Sequence, residues 1–136
     1  MTSVNNRLST ALAGSYRIEH RGKSCSAAPL WQPSIHGLVE LIIVPDIALF
    51  DASCAVTLDR IFGDCSAENL VRLEKLHPKD DGSVVFYLQG TYLHPGRYVL
   101  MLMQSNSCGG QRTDRFMISV VNPNHPPLRR AMALCC

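Results

Sequence analysis

The chain has 136 residues, a length that suits one domain and allows a core without metals or crosslinks. Its 13 Lys and Arg are nearly balanced by 11 Asp and Glu. This balance argues against a protein that binds nucleic acid mainly through phosphates, because such a protein carries a clear basic surplus. Charged residues make up only 18% and apolar residues 46%. A surface this sparse in charge suits a protein that other chains partly cover.

The first residues predict a short helix. Val4, Leu8, Ala11 and Leu12 follow the i, i+4, i+7, i+8 spacing of one helix face, and Gly14 ends the pattern. An isolated helix of this length is marginal in water, so we expect it to dock on the domain or on another chain. Residues 1–13 are therefore predicted to form an N-terminal arm.

Seven segments of the next region, residues 14–122, predict β-strands. They alternate apolar and polar residues or are rich in β-branched ones, and turn residues separate them. Residues 21–34, with Gly22, Pro29 and Pro33, are expected to be a loop, and His77–Gly82 a turn. The predicted strands are 15–20, 38–44, 54–59, 70–76, 84–88, 99–103 and 115–121.

Seven strands without a strong helix between them predict an all-β domain in which two antiparallel sheets form a sandwich. The topology is left open between immunoglobulin-like and jelly-roll-like, and a compact barrel is the alternative. Residues 123–136 begin as a proline-rich linker and are expected to form an extended C-terminal arm.

One turn resembles a known fold family. In Pro95-Gly96-Arg97-Tyr98, the Gly-x-Tyr step before a strand is similar to the tyrosine corner of immunoglobulin-like domains, where the phenol bonds to nearby backbone. The resemblance covers residues 84–121. It departs from antibody domains at Leu100, where those domains have cysteine, so it implies a fold and transfers no function.

The six cysteines allow two interpretations. In an oxidising compartment, Cys25–Cys108 and Cys54–Cys65 are the bridges we would expect, among fifteen possible connectivities. In a reducing cytosol all six would be free thiols, with Cys54 an ordinary core residue, and this interpretation is favoured. Met1–Arg7 is polar and no continuous apolar run follows, so we expect no secretory signal and synthesis in the cytoplasm.

No sequence motif points to an enzyme, a cofactor or a metal. The nucleotide, dinucleotide, zinc-protease and hydrolase signatures are absent. A nucleophilic pair of Cys108 and His94 would need the two loops to meet. Close cysteine pairs with zinc spacing are missing, and Asp46, Asp51, Asp80 and Asp81 are expected to be solvated turn residues. We predict no catalytic, cofactor or metal site and no membrane span.

The last two strands carry the strongest functional signal. If alternate residues such as Tyr98 and Ile118 face the core, apolar side chains also fill the opposite face. A solvated face would normally be polar, so these side chains are expected to be covered by the chain's own arms or by a partner. The predicted patch consists of Val99, Met101, Met103, Met117 and Val121.

The sequence therefore favours a non-enzymatic assembly protein that packs against copies of itself or decorates a larger shell such as a viral or phage capsid. Apolar residues of both arms are expected to join that interface: Val4, Leu8, Leu12, Leu128, Met132 and Leu134. The first alternative is an immunoglobulin-like module that binds a protein or carbohydrate through loops 21–34, 77–82 and 104–112; disulfide bridges would favour it. The second is a small cysteine-dependent enzyme.

Overall fold

A computed structural model describes residues 12–19, 28–33 and 36–122 of the chain. These residues form eight strands and one short 3₁₀ turn over Gly90–Tyr92. The strands are β1 (Leu12–Glu19), β2 (Ala28–Trp31), β3 (Leu38–Val44), β4 (Ala52–Ile61), β5 (Ala67–Leu76), β6 (Val84–Gln89), β7 (Gly96–Asn106) and β8 (Gln111–Val121).

The strands form two sheets that pack face to face around one core. The smaller sheet has the order β1-β3-β6 and the larger one the order β2-β8-β7-β4-β5. The all-β prediction is confirmed. The prediction of purely antiparallel sheets is wrong, because β1 pairs in parallel with β3 and β2 pairs in parallel with β8.

Two segments differ from the sequence prediction. The expected loop 21–34 contains β2, whose four residues include Pro29. Its place at the edge of the larger sheet explains how proline is tolerated there, since an edge strand leaves some N–H groups without a ladder partner. The expected helix over residues 1–13 lies outside the described residues except for Leu12 and Ala13, and these begin β1.

The core lies between the sheets and follows the period of two along each strand. Val39, Leu41 and Ile43 of β3 are fully buried while their neighbours are half-exposed. The adjacent strand β6 adds Val84 and Phe86 from the same sheet. The facing side chains come mainly from β4, β7 and β8 of the larger sheet: Val56, Leu58, Tyr98, Leu100, Leu102, Phe116, Ile118 and Val120. Burial of this apolar surface is the main favourable contribution to folding.

Tyr98 forms the predicted tyrosine corner. Its side chain is fully buried, and its hydroxyl donates a hydrogen bond to the carbonyl oxygen of His94 at 2.6 Å. Burial raises the pKa of the Tyr98 phenol. The bond fixes the turn that leads into β7.

A second tyrosine joins the edges of the two sheets. The hydroxyl of Tyr16 in β1 donates to the carbonyl oxygen of Trp31 in β2 at 2.8 Å. The smaller sheet therefore begins above the β2 side of the larger one, and three strands cannot cover all five. The burial of β5 agrees with this geometry, since Val71, Leu73 and Leu76 are only half-buried against the core.

The free edge of the larger sheet is irregular. Opposite β4, strand β5 holds one extra residue at Leu70 and another at Glu74–Lys75. Lys75 has a φ of 58°, the left-handed conformation that side chains rarely adopt. These β-bulges bend the edge strand and interrupt its ladder.

The cysteines correct both expected pairings. Cys54 is a buried free thiol and Cys108 an exposed one, so neither Cys54–Cys65 nor Cys25–Cys108 forms. Cys54 is the small core residue that the free-thiol interpretation expected, and burial raises the pKa of its thiol. Cys65, in contrast, is disulfide-bonded, so the prediction that all six thiols are free is also wrong.

Candidate interaction surfaces

Three loops meet at one end of the molecule, which we call the loop end: residues 45–51 between β3 and β4, 77–83 between β5 and β6, and 107–110 between β7 and β8. The strand registers bring them together, because Ala52 of β4 pairs with Asn106 of β7 and Cys54 of β4 pairs with Leu76 of β5. Two of the three loops predicted as a binding site, 77–82 and 104–112, thus lie at the same end of the molecule, with β4 between the strands that carry them.

The loop of residues 77–83 is held by its own hydrogen bonds. The carboxylate of Asp81 accepts the backbone N–H of Ser83 at 2.9 Å and its hydroxyl at 2.6 Å, and these bonds lower the pKa of Asp81. Gly82 adopts a φ of 86° and passes close to the first loop: a Cβ at this position would lie 2.9 Å from the Cβ of Ala48. Only glycine fits there without moving one of the two loops.

Gln104 fixes the loop of residues 45–51. Its side chain is buried near the end of β7, on the same core-facing side of the strand as Tyr98 and Leu102. Its Oε1 accepts the backbone N–H of Leu49 at 3.0 Å and its Nε2 donates to the carbonyl oxygen of Ile47 at 2.9 Å. One side chain thereby satisfies two backbone groups of the loop, as a buried amide must.

The fixed loop presents two apolar side chains to solvent. Phe50 is 90% exposed and Ile47 is 53% exposed. The carbonyl oxygen of Phe50 accepts a hydrogen bond from Nδ2 of Asn106 at 3.2 Å, so the backbone beneath the phenyl ring is held on both sides. An aromatic side chain this exposed on an anchored backbone is typical of a binding contact rather than of a folding contact.

Sequence reasoning missed this pair, although two signals were available. Ile47 and Phe50 lie in a short segment bounded by Pro45 and Asp51, which leaves them no strand face to occupy. Gln104 is a polar residue at a core position of an otherwise apolar strand, and such a residue needs nearby backbone partners.

Two aspartates share one arginine beside these loops. The Arg112 guanidinium lies 3.3 Å from the carboxylate of Asp46 and 3.4 Å from that of Asp114. Asp114 is buried, and a buried carboxylate is costly unless a cation accompanies it. Arg112 therefore compensates Asp114 and also draws the start of the 45–51 loop toward β8.

The β7–β8 hairpin carries the exposed free thiol of Cys108. Its turn is closed by the Asn106 side chain, whose Oδ1 accepts the N–H of Gly110 at 2.7 Å. His94 precedes β7 and Cys108 follows it, so the two residues lie at opposite ends of an 11-residue strand, about 30 Å apart. The hypothesis of a Cys108–His94 nucleophilic pair is wrong.

The predicted apolar patch lies on the outer face of the larger sheet, the face turned away from the smaller sheet. Val99 pairs with Met117 across β7 and β8, and alternation along the strands places the rest of the patch on this face. Val99 is buried. Met101, Met103, Met117 and Val121 are half-buried, so the patch offers less free apolar surface than the sequence suggested.

Several polar residues of the outer face are also buried. They are Arg97 and Ser119, which pair across β7 and β8, and Thr57, which pairs with Met101. Every described strand belongs to one of the two sheets, so no described strand lies across this face. Trp31 stands apart from this group: it pairs with Val121 at the edge of the sheet and is 63% exposed.

A shallow groove of about 390 Å³ crosses the outer face near the loop end. Met103 lies in its lining, and the other lining residues are mostly polar, among them Ser53, Arg72, Lys75, Gln111 and Thr113. This mixed lining lacks the apolar enclosure of a small-molecule site.

Of the remaining predicted interface residues, Leu12 is exposed at the start of β1. Val4, Leu8, Leu128, Met132 and Leu134 lie outside the described residues. In the predicted binding loop 21–34, Ala28–Trp31 is strand, and Gln32 follows it at the end opposite the loop end, bonded to Val121.

Within the described residues, no group of three or more His, Cys, Asp or Glu side chains is arranged to hold a metal ion. No helix in the same part of the chain is long and apolar enough to cross a membrane. Comparison with models of known protein families and with curated proteins finds no match to this chain.

Proposed function

We propose that this protein is a non-enzymatic, immunoglobulin-like binding module that engages a protein partner through its loop end. The observation that carries the proposal is Phe50, almost fully exposed on a backbone that Gln104 and Asn106 hold in place. A rigid aromatic anchor loses little conformational entropy when it enters a partner's pocket, so most of its apolar contact contributes to affinity.

The strand order supports the immunoglobulin-like assignment. In the larger sheet, β8, β7, β4 and β5 lie in the order of strands G, F, C and C′ of a variable-type domain, and β3 and β6 pair as B and E do. The tyrosine corner lies at the corresponding place, before β7. The parallel pairing of β1 with β3 is a departure from that pattern.

The disulfide at Cys65 also supports a binding module of this class. Stable disulfides form in oxidising compartments and are rare in the cytosol. It weighs against the expectation of cytoplasmic residence, and it favours an extracellular binder over an intracellular shell protein.

The test compares three chains as bait for a partner in extracts, under non-reducing conditions: wild type, Phe50→Ser and Tyr92→Ser. Tyr92 is a matched control, because it is an exposed aromatic residue in the 3₁₀ turn at the opposite end. We expect a partner that wild type and Tyr92→Ser retain equally and that Phe50→Ser retains at least tenfold less. Equal retention by all three chains would contradict binding at the loop end.

A second candidate function is assembly through the outer face, either with copies of the chain or on a shell such as a capsid. It is favoured by the half-buried methionines of β7 and β8 and by Trp31, which is exposed beside Val121 at the end of the same face. Met101→Glu should then abolish self-association in sedimentation velocity while thermal unfolding stays cooperative. An unchanged sedimentation coefficient would count against this candidate.

A further inference from the structure

The two sheets end at different strands on the side of β6 and β5. Since β1 lies above β2, the β6 border of the smaller sheet lies on the side where the larger sheet continues to β5. The inner side chains Val56 and Leu58 of β4 are buried, whereas Val71, Leu73 and Leu76 of β5 are only half-buried. The inner face of β5 thus extends beyond β6. We call the free side of β6 and the inner face of β5 below it the edge groove.

The backbone of β6 directs hydrogen-bonding groups into this groove. The N–H of Gly90, directly after β6, donates to the carbonyl oxygen of Gly37 at 2.8 Å, and this contact continues the register of β3 and β6. Hydrogen-bonded and non-hydrogen-bonded pairs alternate along an antiparallel ladder, so every second residue before Gly90 also bonds to β3. Val85, Tyr87 and Gln89 therefore direct their backbone N–H and C=O groups away from β3 and into the edge groove. Within the described residues, β6 pairs only with β3.

We propose that the edge groove binds one extended segment of a partner protein, which adds to β6 as a fourth strand of the smaller sheet. In strand addition of this kind, main-chain hydrogen bonds supply affinity and the alternate side chains supply specificity. This site is distinct from the loop end, because it runs along the strands rather than across their ends.

The groove has the dimensions of one strand. A segment paired with β6 lies about 4.8 Å beyond it, above β5 and at the spacing of packed sheets, about 10 Å. Every second side chain of the segment then points down onto Val71, Leu73 and Leu76, so these side chains must be apolar. No residue of β6 is charged or is proline, and its outward backbone groups are thus free of the features that block pairing at an edge.

A second copy of the chain does not fit the groove through its own β6. Antiparallel pairing of two β6 strands about a two-fold axis places the larger sheets of both copies on the same side of the joined smaller sheets. Each β5 extends beyond its own β6, so the β5 strands of the two copies would occupy the same space. A single segment without a second layer avoids this overlap.

The solvent-facing side of β6 favours a basic residue in the segment. The hydroxyls of Ser15 and Tyr87 donate to the carboxylate of Glu40 at 2.6 Å and 2.9 Å, and these bonds lower the pKa of Glu40. The carboxylate is therefore ionised at neutral pH, and neither neutral hydroxyl compensates its charge. A Lys or Arg opposite Tyr87 can lay its apolar stem on the phenol ring and extend its cation toward Glu40.

The first test is hydrogen exchange of the β6 amides in the full chain, followed by NMR. We expect the amides of Val85 and Tyr87 to exchange at least tenfold faster than those of Phe86 and Leu88, which the ladder with β3 protects. Protection of Val85 and Tyr87 in the isolated monomer would overturn the proposal, because the chain would then cover this edge itself. Protection that appears only at high protein concentration would also overturn it, in favour of a second copy.

The second test uses a capped, fluorescent peptide of about eight residues that alternates Val or Leu with Thr and has one Lys in place of a central Thr. We expect saturable binding in fluorescence anisotropy and at least tenfold slower exchange of the Val85 and Tyr87 amides. Two control peptides carry N-methyl groups on alternate amides, one on the apolar residues and one on the polar residues. Only one edge of the segment pairs with β6, so one control should bind at least tenfold more weakly and the other should bind as the parent does.

Variants of the protein locate the site. Leu73→Ser should weaken binding of the lysine peptide at least fivefold, whereas Arg72→Ser, on the opposite and exposed face of β5, should bind as wild type. Glu40→Gln should weaken the lysine peptide but not a version with Thr in place of Lys. Phe50→Ser should bind the peptide unchanged, which separates this proposal from binding at the loop end.

Three results would overturn the proposal: no saturable binding of the peptide below about 1 mM, equal behaviour of the two N-methylated controls, or equal binding by Leu73→Ser and wild type. Thermal unfolding of Leu73→Ser shows whether its loss of binding reflects a loss of fold. The N-methylated peptides are tested on the wild-type chain, so their outcome does not depend on the stability of any variant.

Discussion

Oε1 of Gln104 accepts the backbone N–H of Leu49 at 3.0 Å, across 55 positions of the sequence, while Nε2 of the same side chain donates to the carbonyl oxygen of Ile47. The side-chain amide of Gln104 thus connects β7 to the loop that carries Phe50 through two hydrogen bonds. This loop has a defined shape because a buried residue of another strand supplies its hydrogen bonds.

Replacing Gln104 should destabilise the fold and increase the mobility of residues 45–51. Gln104→Leu keeps the side-chain volume but leaves the Leu49 N–H and the Ile47 carbonyl unpaired, so we expect the free energy of unfolding to fall by about 2–3 kcal/mol. Urea denaturation measures this loss, and hydrogen exchange should show faster exchange of the Leu49 amide. Gln89→Leu, on the exposed face of β6, is the control and should change neither quantity.

The positive charge of Arg112 should stabilise the fold by compensating the buried carboxylate of Asp114. Arg112→Met leaves a buried carboxylate without its cation, and we expect a loss of about 2–4 kcal/mol in the free energy of unfolding. Adding Asp114→Asn should recover most of it, because the uncompensated charge is then gone. Arg72→Met is the control: its pair with Glu74 is exposed, so its loss should be below about 1 kcal/mol. Equal effects of the two arginine substitutions would contradict this assignment.

The tyrosine corner should be visible in stability and in its pH dependence. Tyr98→Phe removes the donor to the His94 carbonyl and should cost about 1–2 kcal/mol at pH 7. The pKa of Tyr98 is raised in the folded state, so its contribution is fully present below the unfolded pKa of about 10 and is lost as the pH rises through the folded pKa. The stability difference between wild type and Tyr98→Phe should therefore shrink above pH 10.

The control for this experiment is Tyr92→Phe, which changes an exposed tyrosine and should leave stability unaltered at pH 7. A difference between wild type and Tyr98→Phe that stays constant from pH 7 to pH 11 would show that the phenol is not protected from ionisation by the fold.

The two free thiols in the part of the chain that the structure describes, Cys54 and Cys108, should differ sharply in reactivity. The thiolate is the reactive form, and burial both raises the pKa of Cys54 and blocks access to its sulfur, while Cys108 is exposed. At pH 8 we expect iodoacetamide to modify Cys108 at least a hundredfold faster than Cys54, as followed by peptide mass spectrometry. In 6 M guanidinium chloride the two rates should become similar. Comparable rates in the native protein would place Cys54 outside the core.

Most of the strands could be predicted from the sequence, because the alternation of apolar and polar residues shows which side chains of a strand face the core. Val39, Leu41 and Ile43, or Tyr98, Leu100 and Leu102, repeat with the period of the pleat, and burial follows that period. The parallel partners of β1 and β3 were not predictable, since periodicity reports which face a residue occupies and not which strand lies beside it. β2 was missed because four residues that include Pro29 carry too short a pattern.

The interaction surfaces were predictable only in part. Alternation placed Met101 and Met117 correctly on the outer face, yet their exposure depends on what lies above the sheet, which no local pattern encodes. The role proposed for Phe50 rests on a hydrogen bond between its backbone and Asn106, 56 positions away, and such long-range contacts have no signature in a single sequence.

The bulged edge strand β5 gives the molecule an asymmetric resistance to fibril formation. Its extra residues and the left-handed Lys75 break the straight row of backbone donors and acceptors that an incoming strand would need, and Glu68, Arg72, Glu74 and Lys75 charge that border. The β6 border of the other sheet, with the sequence VVFYLQ, has neither charge nor proline. Under destabilising conditions we therefore expect aggregation to begin by addition of a strand to β6. The substitution Gln89→Lys, at a solvent-facing position of β6, should suppress it.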